Sequence, residues 1–252
     1  MQVVGYRTAV REDGPALVVA DDGEVSRLSL ASGARLDYGL GERHCAGAVD
    51  DDAHYACSDE SAPYCPVHSS TWVCARCTGD CLKDEMDCHE DHAIYLAAFA
   101  PDVFKVGVTR EWRLDTRLRE QGAQRAAHLE TVSNGRLARE IESDIATEIP
   151  DRVRVPAKLD GLHEAVDADA WGVVLAGFDP IETFAFDYGL DLASQPVATT
   201  VARGTVVGTR GRVLVLERGA TNYAVDLRDL VGHELDPEKE SSDRQSSLAS
   251  YV

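Results

Sequence analysis

The sequence predicts an α+β fold in which a small β-barrel formed from both chain ends encloses a cysteine-bearing insert and a ββαβα module. Three observations carry this expectation. Short strand-like runs separated by Gly and Asp turns dominate both ends and flank a cysteine-bearing and α/β middle. All seven cysteines fall between Cys45 and Cys88. Between residues 93 and 150 the hydrophobic period switches from strand to helix twice.

Taken in order, residues 1–43 contain GYRTAV, ALVVA, VSRLSL and ARLDYG, split by EDG, DDG and SG, and form the first half of a discontinuous β-domain. Residues 44–92 hold the cysteines with little periodicity and form the insert. In 93–150, AIYLAAFA and VFKVGVT are strands joined at Pro101-Asp102. A helix follows over 111–121 and stops at Gly122. HLETV is a third strand, and Ser133 or Asn134 caps a second helix, GRLAREIESDIATEI, that Pro150 ends. Residues 151–196 are a helical connector, with FAFDYGLDL as a possible strand. Residues 197–236 return to strands: TTVARGTVVG, GRVLVLERG and TNYAVDL. Four N-terminal strands make a poor core alone, whereas adding the C-terminal ones closes a small barrel. Residues 237–252 are polar, Ser-rich and expected to be disordered.

The formal charge is −19, and its make-up is unusual: 26 Asp and 18 Glu face 21 Arg and only 4 Lys. Short carboxylates in place of lysines suit molar salt. There the Debye length shrinks to ~3 Å, so an acidic chain can still approach a polyanion at short range. The alternative is an acidic protein that avoids polyanions. A hydrophobic content of 44% excludes global disorder. No run of 18 apolar residues exists to span a bilayer, and MQVVGYRTAVREDG lacks a leader pattern, so the expected location is the cytoplasm.

Clustered cysteines in a reducing compartment point to metal. Cys74, Cys77, Cys81 and Cys88 form one set of four, opened by a CxxC turn that places two thiolates on one ion. Cys45, Cys57, Cys65 and His68 form a second. Eight ligands make two closed, structural zinc sites. His44, His54, His89 and His92 compete for the histidine position, and an iron–sulfur cluster is the alternative for the 74–88 set.

The stretch from Lys105 to Arg125 is locally basic in an acidic chain. Arg110, Arg113, Arg117 and Gln121 sit at i, i+3, i+7 and i+11, so they would share one helical face suited to phosphate. Pairing of these arginines with Glu111, Asp115 and Glu120 is the plainer alternative. Gly204-x3-Gly208-x2-Gly211 is flanked by strands and is expected to serve β-turns rather than bind a dinucleotide. Arg203, Arg210 and Arg212 would add a second nucleic-acid contact.

Ala93-Ile94-Tyr95, then Lys105-Val106-Gly107, Arg117 in TRLREQ and Glu140 in LAREIE follow one another in an order that resembles the GIY-YIG nucleases. The resemblance covers residues 94–148. It implies catalytic roles for Tyr95, Lys105, Arg117 and Glu140, with Mg²⁺ on Glu140 and Arg117 neutralising charge that develops on phosphate. Arg110, Arg113, Gln121, Arg125 and Arg136 would bind the nucleic acid. Lys105 stands where that family has its second tyrosine, and Gln121 where several members have a histidine, so binding is expected in preference to cleavage. YCPVH, CARCTGDC, the YLAAF–KVGVTR hairpin, EQGA and VVGTRGRVLVL resemble a family of unknown function common in haloarchaea and actinobacteria. The expected function is a zinc-containing nucleic-acid-binding protein, with a metal-dependent endonuclease and a zinc-stabilised interaction scaffold as alternatives.

Overall fold

The computed structural model describes residues 1–8, 14–69 and 88–238. Its strands in chain order begin with β1 (Gln2–Arg7), β2 (Ala16–Asp21), β3 (Glu24–Ser29), β4 (Arg35–Arg43), β5 (Ala48–Asp50) and β6 (Ala53–Tyr55). The middle supplies β7 (His92–Phe99), β8 (Val103–Arg110), α1 (Leu114–Gln121), β9 (Arg125–Val132), α2 (Gly135–Ile145), α3 (Val155–Asp160), α4 (Ala168–Leu175) and β10 (Glu182–Ala185). The C-terminal part adds β11 (Val197–Ala198), β12 (Ala202–Arg210), β13 (Val213–Arg218), β14 (Thr221–Asp226), α5 (Leu227–Leu230) and β15 (His233–Asp236).

Both chain ends share one eleven-stranded sheet, in the order β11-β14-β13-β12-β4-β15-β1-β2-β3-β6-β5. The junction is β15, which pairs antiparallel with β1 on one side and β4 on the other. Register shifts at Val3/Gly5, Val206/Gly208 and His233/Leu235 bend the strands, as bulges do. The bent sheet wraps a single apolar core in which Val3, Leu17 and Leu36 meet Leu214, Leu216, Val225 and Leu230. Asp22 and Gly23, both at positive φ (48° and 85°), form the tight turn between β2 and β3.

The sheet is open, which corrects the expected closed barrel. Among the described residues its outer strands are β11, two residues paired parallel to β14, and β5, three residues paired with β6. Neither edge is long enough to zip to the other. The cysteine segment is also less separate than its composition suggested, since β5 and β6 extend this sheet by an Ala53–Glu24 pairing with β3.

The second sheet runs β10-β9-β7-β8. Strand β7 is central, and its alternating side chains feed two cores. Ile94, Leu96 and Ala98 join Val106, Ala138 and Trp171 under α2 and α4. Ala93, Tyr95, Ala97 and Phe99 join Leu114, Leu118 and Ala126 under α1. The helix expected over 111–121 is split: Glu111–Arg113 is a 3-10 turn and α1 starts at Leu114. Gly122 ends α1 in the left-handed conformation (φ 74°), and Asn134 caps α2 by accepting from the Leu137 amide. The connector is not purely helical, because β10 leaves it to pair with β9.

The sheets meet where the β12–β13 hairpin tip lies against the end of α1. A Cβ on Gly211 would stand 2.7 Å from the Glu120 carbonyl oxygen, and one on Gly122 would stand 3.0 Å from the Arg210 carbonyl oxygen. The last glycine of the C-terminal run thus allows backbone to touch backbone. Leu162, Leu192, Val213, Val215 and Ala224 seal this junction. The expected disordered tail lies outside the described residues from 239 onward.

Candidate functional site

Two groups of side chains carry chemistry. In the first, Cys45, Cys57, Cys65 and His68 place their ligand atoms within 4.8 Å of one another. Cys45 follows β4, and Cys57 follows the β5–β6 hairpin. Cys65 opens a turn in which its carbonyl accepts from the His68 and Ser69 amides (3.0 and 2.8 Å), which brings His68 back beside it. Further backbone bonds, Cys45 N–H to Asp59 and Ala46 N–H to Pro63, tie the two halves together. Gly47 (φ 66°) is fixed by contact, since a Cβ there would overlap the Tyr55 carbonyl oxygen.

His68 Nδ1 lies 3.4 Å from Cys45 Sγ and 3.2 Å from Cys65 Sγ. Ligand atoms around a tetrahedral zinc are about 3.5–3.8 Å apart, given Zn–S near 2.3 Å and Zn–N near 2.0–2.1 Å. The donor set therefore fits, and this Cys3His cluster is positioned to hold a metal ion such as zinc. Burial raises the Cys45 thiol, but N–H bonds from Cys65 and Gly47 outweigh it and leave the thiol below its ordinary range. Such bonds also support a metal-bound thiolate. Two competing histidines are engaged elsewhere: His44 Nδ1 meets the Cys57 carbonyl at 2.8 Å, and His54 Nε2 meets that of Ala46 at 2.9 Å.

Of the 74–88 set, Cys74, Cys77 and Cys81 lie outside the described residues. Cys88 abuts the start of α2 together with His92. A Cβ on Gly135 would be 3.0 Å from both Cys88 Sγ and His92 Nε2. His92 Nδ1 meets the Glu90 carbonyl at 2.6 Å.

The second group surrounds Tyr95, which is 1% exposed. Tyr95 pairs across β7–β8 with Gly107, and its ring fills the space a side chain there would take. Gln121 at the end of α1 donates to the Tyr95 hydroxyl at 2.7 Å. Lys158, in α3, donates to the Gln121 carbonyl at 2.7 Å and lies 4.0 Å over the Phe99 ring. Lys105, two residues before Gly107, donates to the Asp151 carbonyl at 2.7 Å. Burial raises the Tyr95 phenol, and Arg117 and Gln121 partly oppose it. Burial, reinforced by Arg117, pushes Lys105 down to about 8, while Glu142 and Asp151 pull it back up. Lys158 falls further, to about 7, through burial and the nearby charges of Lys105, Arg212 and Arg117.

Tyr95, Lys105, Arg117 and Gln121 are thus brought together. Glu140 is not. It pairs with Arg136 at 2.9 Å on the exposed side of α2. The carboxylate whose charge reaches Tyr95 and Lys105 belongs to Glu142, 7% exposed and held by Arg139 at 2.5 Å. Two residues along a helix is about 200° of rotation, so the two glutamates point in nearly opposite directions. The structure gives the Mg²⁺ expectation at Glu140 no support. Lys158 went unrecognised in the sequence, although a chain with only 4 Lys offered a signal.

The expected arginine face is also revised. Arg110 ends β8 rather than joining α1, and it pairs with Glu90 at 2.9 Å. Arg113 and Arg117 share Glu120, at 3.2 and 3.6 Å. Arg125 is exposed at the start of β9. Trp112, 71% exposed, stands with its ring centroid 5.9 Å from the Arg113 guanidinium.

Among the described residues no helix is long and apolar enough to cross a membrane. Searches of curated proteins and of solved structures return no match. A family model described as "Protein of unknown function (DUF2797)" matches residues 40–181, which span the Cys3His cluster, all of the second sheet's first three strands and both connector helices. That is more than half of the chain, and the protein belongs to the DUF2797 family.

Proposed function

We propose that this is a cytosolic, zinc-stabilised protein that binds nucleic acid through a GIY-YIG-like module, with phosphate held at the Lys105–Arg117–Lys158 cluster. The carrying observation is where the lysines lie. The chain has 4 Lys against 44 acidic residues, and both described ones converge near Tyr95 and Arg117. Half-burying two of four lysines side by side in a −19 chain costs desolvation and mutual repulsion, and an anionic ligand would offset both. Trp112 beside Arg113 offers a surface for base stacking. In this reading Cys45, Cys57, Cys65 and His68 hold one zinc, and Cys88 contributes to a second with Cys74, Cys77 and Cys81.

Within the module each group has a distinct task. Arg117 and the protonated lysines take the phosphate charge. Gln121 fixes the Tyr95 hydroxyl on one side and the Lys158 ammonium on the other. Binding is favoured over cleavage because Glu142 is already paired with Arg139. An endonuclease reading keeps one supporting observation: Glu142 is a buried carboxylate beside a buried tyrosine, and a lone carboxylate can hold Mg²⁺ through one direct bond plus waters.

The test is fluorescence anisotropy with labelled single-stranded and structured DNA and RNA across KCl concentrations, followed by incubation with Mg²⁺ or Mn²⁺. Arg117→Ala is expected to weaken binding by about 1.5–3 kcal/mol, the size of a charged hydrogen bond. Cleavage that Glu142→Gln abolishes and Glu140→Gln spares would replace the binding reading with the endonuclease one. No binding to any probe would leave the scaffold reading.

A further inference from the structure

A separate cavity of about 230 Å³ opens where the connector meets both sheets, walled by Arg210, His163, Tyr188, Leu162, Leu190 and Phe186. Arg210 is the last residue of β12, and the close approach of Gly211 and Gly122 to neighbouring backbone fixes its position. One of its terminal nitrogens donates to the Leu162 carbonyl at 2.9 Å. Its guanidinium lies 6.0 Å from the Tyr188 ring centroid. Its Nε is sealed from solvent and has no hydrogen-bond partner among the described residues.

No described carboxylate pairs with Arg210, although the chain carries 44 acidic residues against 25 basic. Arg212 in the same hairpin also has a sealed Nε without a partner among the described residues, but it lies 2.7 Å from Asp226, so the missing carboxylate is what sets Arg210 apart. Desolvation pushes Arg210 below the usual arginine range, and only Tyr188 opposes it. On the same wall, His163 Nδ1 is sealed from solvent with no hydrogen-bond partner among the described residues, and its Nε2 stands 3.6 Å from Glu164. Arg210 is half-buried, and a guanidinium that lines a cavity without a carboxylate partner is suited to take an anion there. The sequence-based expectation of a nucleic-acid contact at Arg210 is therefore redirected to a cavity wall. Arg203 and Arg212 are paired with Asp37 and Asp226.

We propose that this cavity binds a small organic monocarboxylate, its carboxylate against the terminal nitrogens of Arg210 and its apolar body against Leu162, Leu190 and Phe186. The volume lies below the ~300–1,000 Å³ of pockets for drug-sized ligands, so the ligand is small. Glu164 and Asp187 also line the cavity and are exposed. They repel a second negative charge, which separates this site from any contact with a polyanion. The site does not depend on the nucleic-acid reading.

The test is ligand-observed NMR and titration calorimetry on the full chain with isovalerate, benzoate, glutarate and inorganic phosphate. Isovalerate or benzoate is expected to bind saturably at one site, glutarate more weakly, and phosphate not at all. Arg210→Gln is expected to abolish binding, and Glu164→Gln to restore glutarate. Ala165→Trp, at an exposed lining position, is expected to narrow the cavity while Arg210 itself is retained. It serves as the blocking variant if Arg210→Gln fails to fold, and it too is expected to lose binding. The proposal is overturned if neither monocarboxylate binds the wild type. It is equally overturned if glutarate or phosphate binds as well as they do, or if a folded Arg210→Gln or Ala165→Trp protein binds unchanged.

Discussion

Replacing Gly107 by alanine tests whether the Tyr95 cluster is built as described. A methyl at Gly107 would stand 2.5 Å from the Tyr95 hydroxyl oxygen and 2.6 Å from Cζ. Both are far inside contact distance, so the ring must move. It has nowhere open to go, because Tyr95 is 1% exposed and packed with Leu114, Leu118 and Ala126. Overpacking of this kind costs about 1–3 kcal/mol. Shifting the ring also breaks the Gln121–Tyr95 hydrogen bond, worth about 0.5–1.5 kcal/mol. The expected loss is about 2–4 kcal/mol out of a total stability of about 5–15. Urea unfolding at fixed salt measures it, with Tyr95→Phe as the reference. That variant alone should cost about 0.5–1.5 kcal/mol. Removing the hydroxyl also removes the closest clash, so the double variant should lose less than the sum of the singles. A Gly107→Ala protein within about 0.5 kcal/mol of wild type, the size of an ordinary surface change, would refute the packing described.

The lysines make a pH prediction with a definite sign. Their pKa values fall from 10.5 to about 8 and about 7 on folding, so between about 7 and 10 the unfolded chain binds more protons and stability rises with pH. Lys158→Met should flatten that rise in denaturant titrations, and a stability that falls over the same range would contradict it. Nucleic-acid affinity should run the other way, weakening as pH rises through 7–8 and the ammonium charges are lost. Finally, 26 Asp with 4 Lys predict that the melting temperature falls as KCl is removed. A melting temperature that is flat or rises on dilution would remove the high-salt reading of the composition.

What the sequence made legible depended on how local the signal was. Cys45, Cys57, Cys65 and His68 could be grouped by count and spacing, because thiolates have few other uses in such a cluster, and their ligand atoms do converge. The β7–β8 hairpin and the caps at Gly122 and Asn134 were equally local. Glu140 and Glu142 were harder, since a motif match tolerates a shift of two positions that a helix does not. Only the pairing of Glu140 with Arg136 and the burial of Glu142 separate them. Strand β15, HELD, escaped notice because only Leu235 is buried in it. Its strand character comes from two distant partners, β1 and β4. Barrel closure was a matter of edge length, which no local pattern reports. Lys158 was recognisable only from the rarity of lysine in the whole chain.

The claim on which the account rests most is that Cys45, Cys57, Cys65 and His68 hold a structural metal at the edge of the larger sheet. Elemental analysis of protein purified without added metal tests it directly, comparing the wild type with Cys65→Ser. The account predicts zinc in the wild type and one zinc fewer per chain in Cys65→Ser, with the lost ion accompanied by a lower melting temperature. An unchanged metal content, or iron and sulfide in place of zinc, would contradict it.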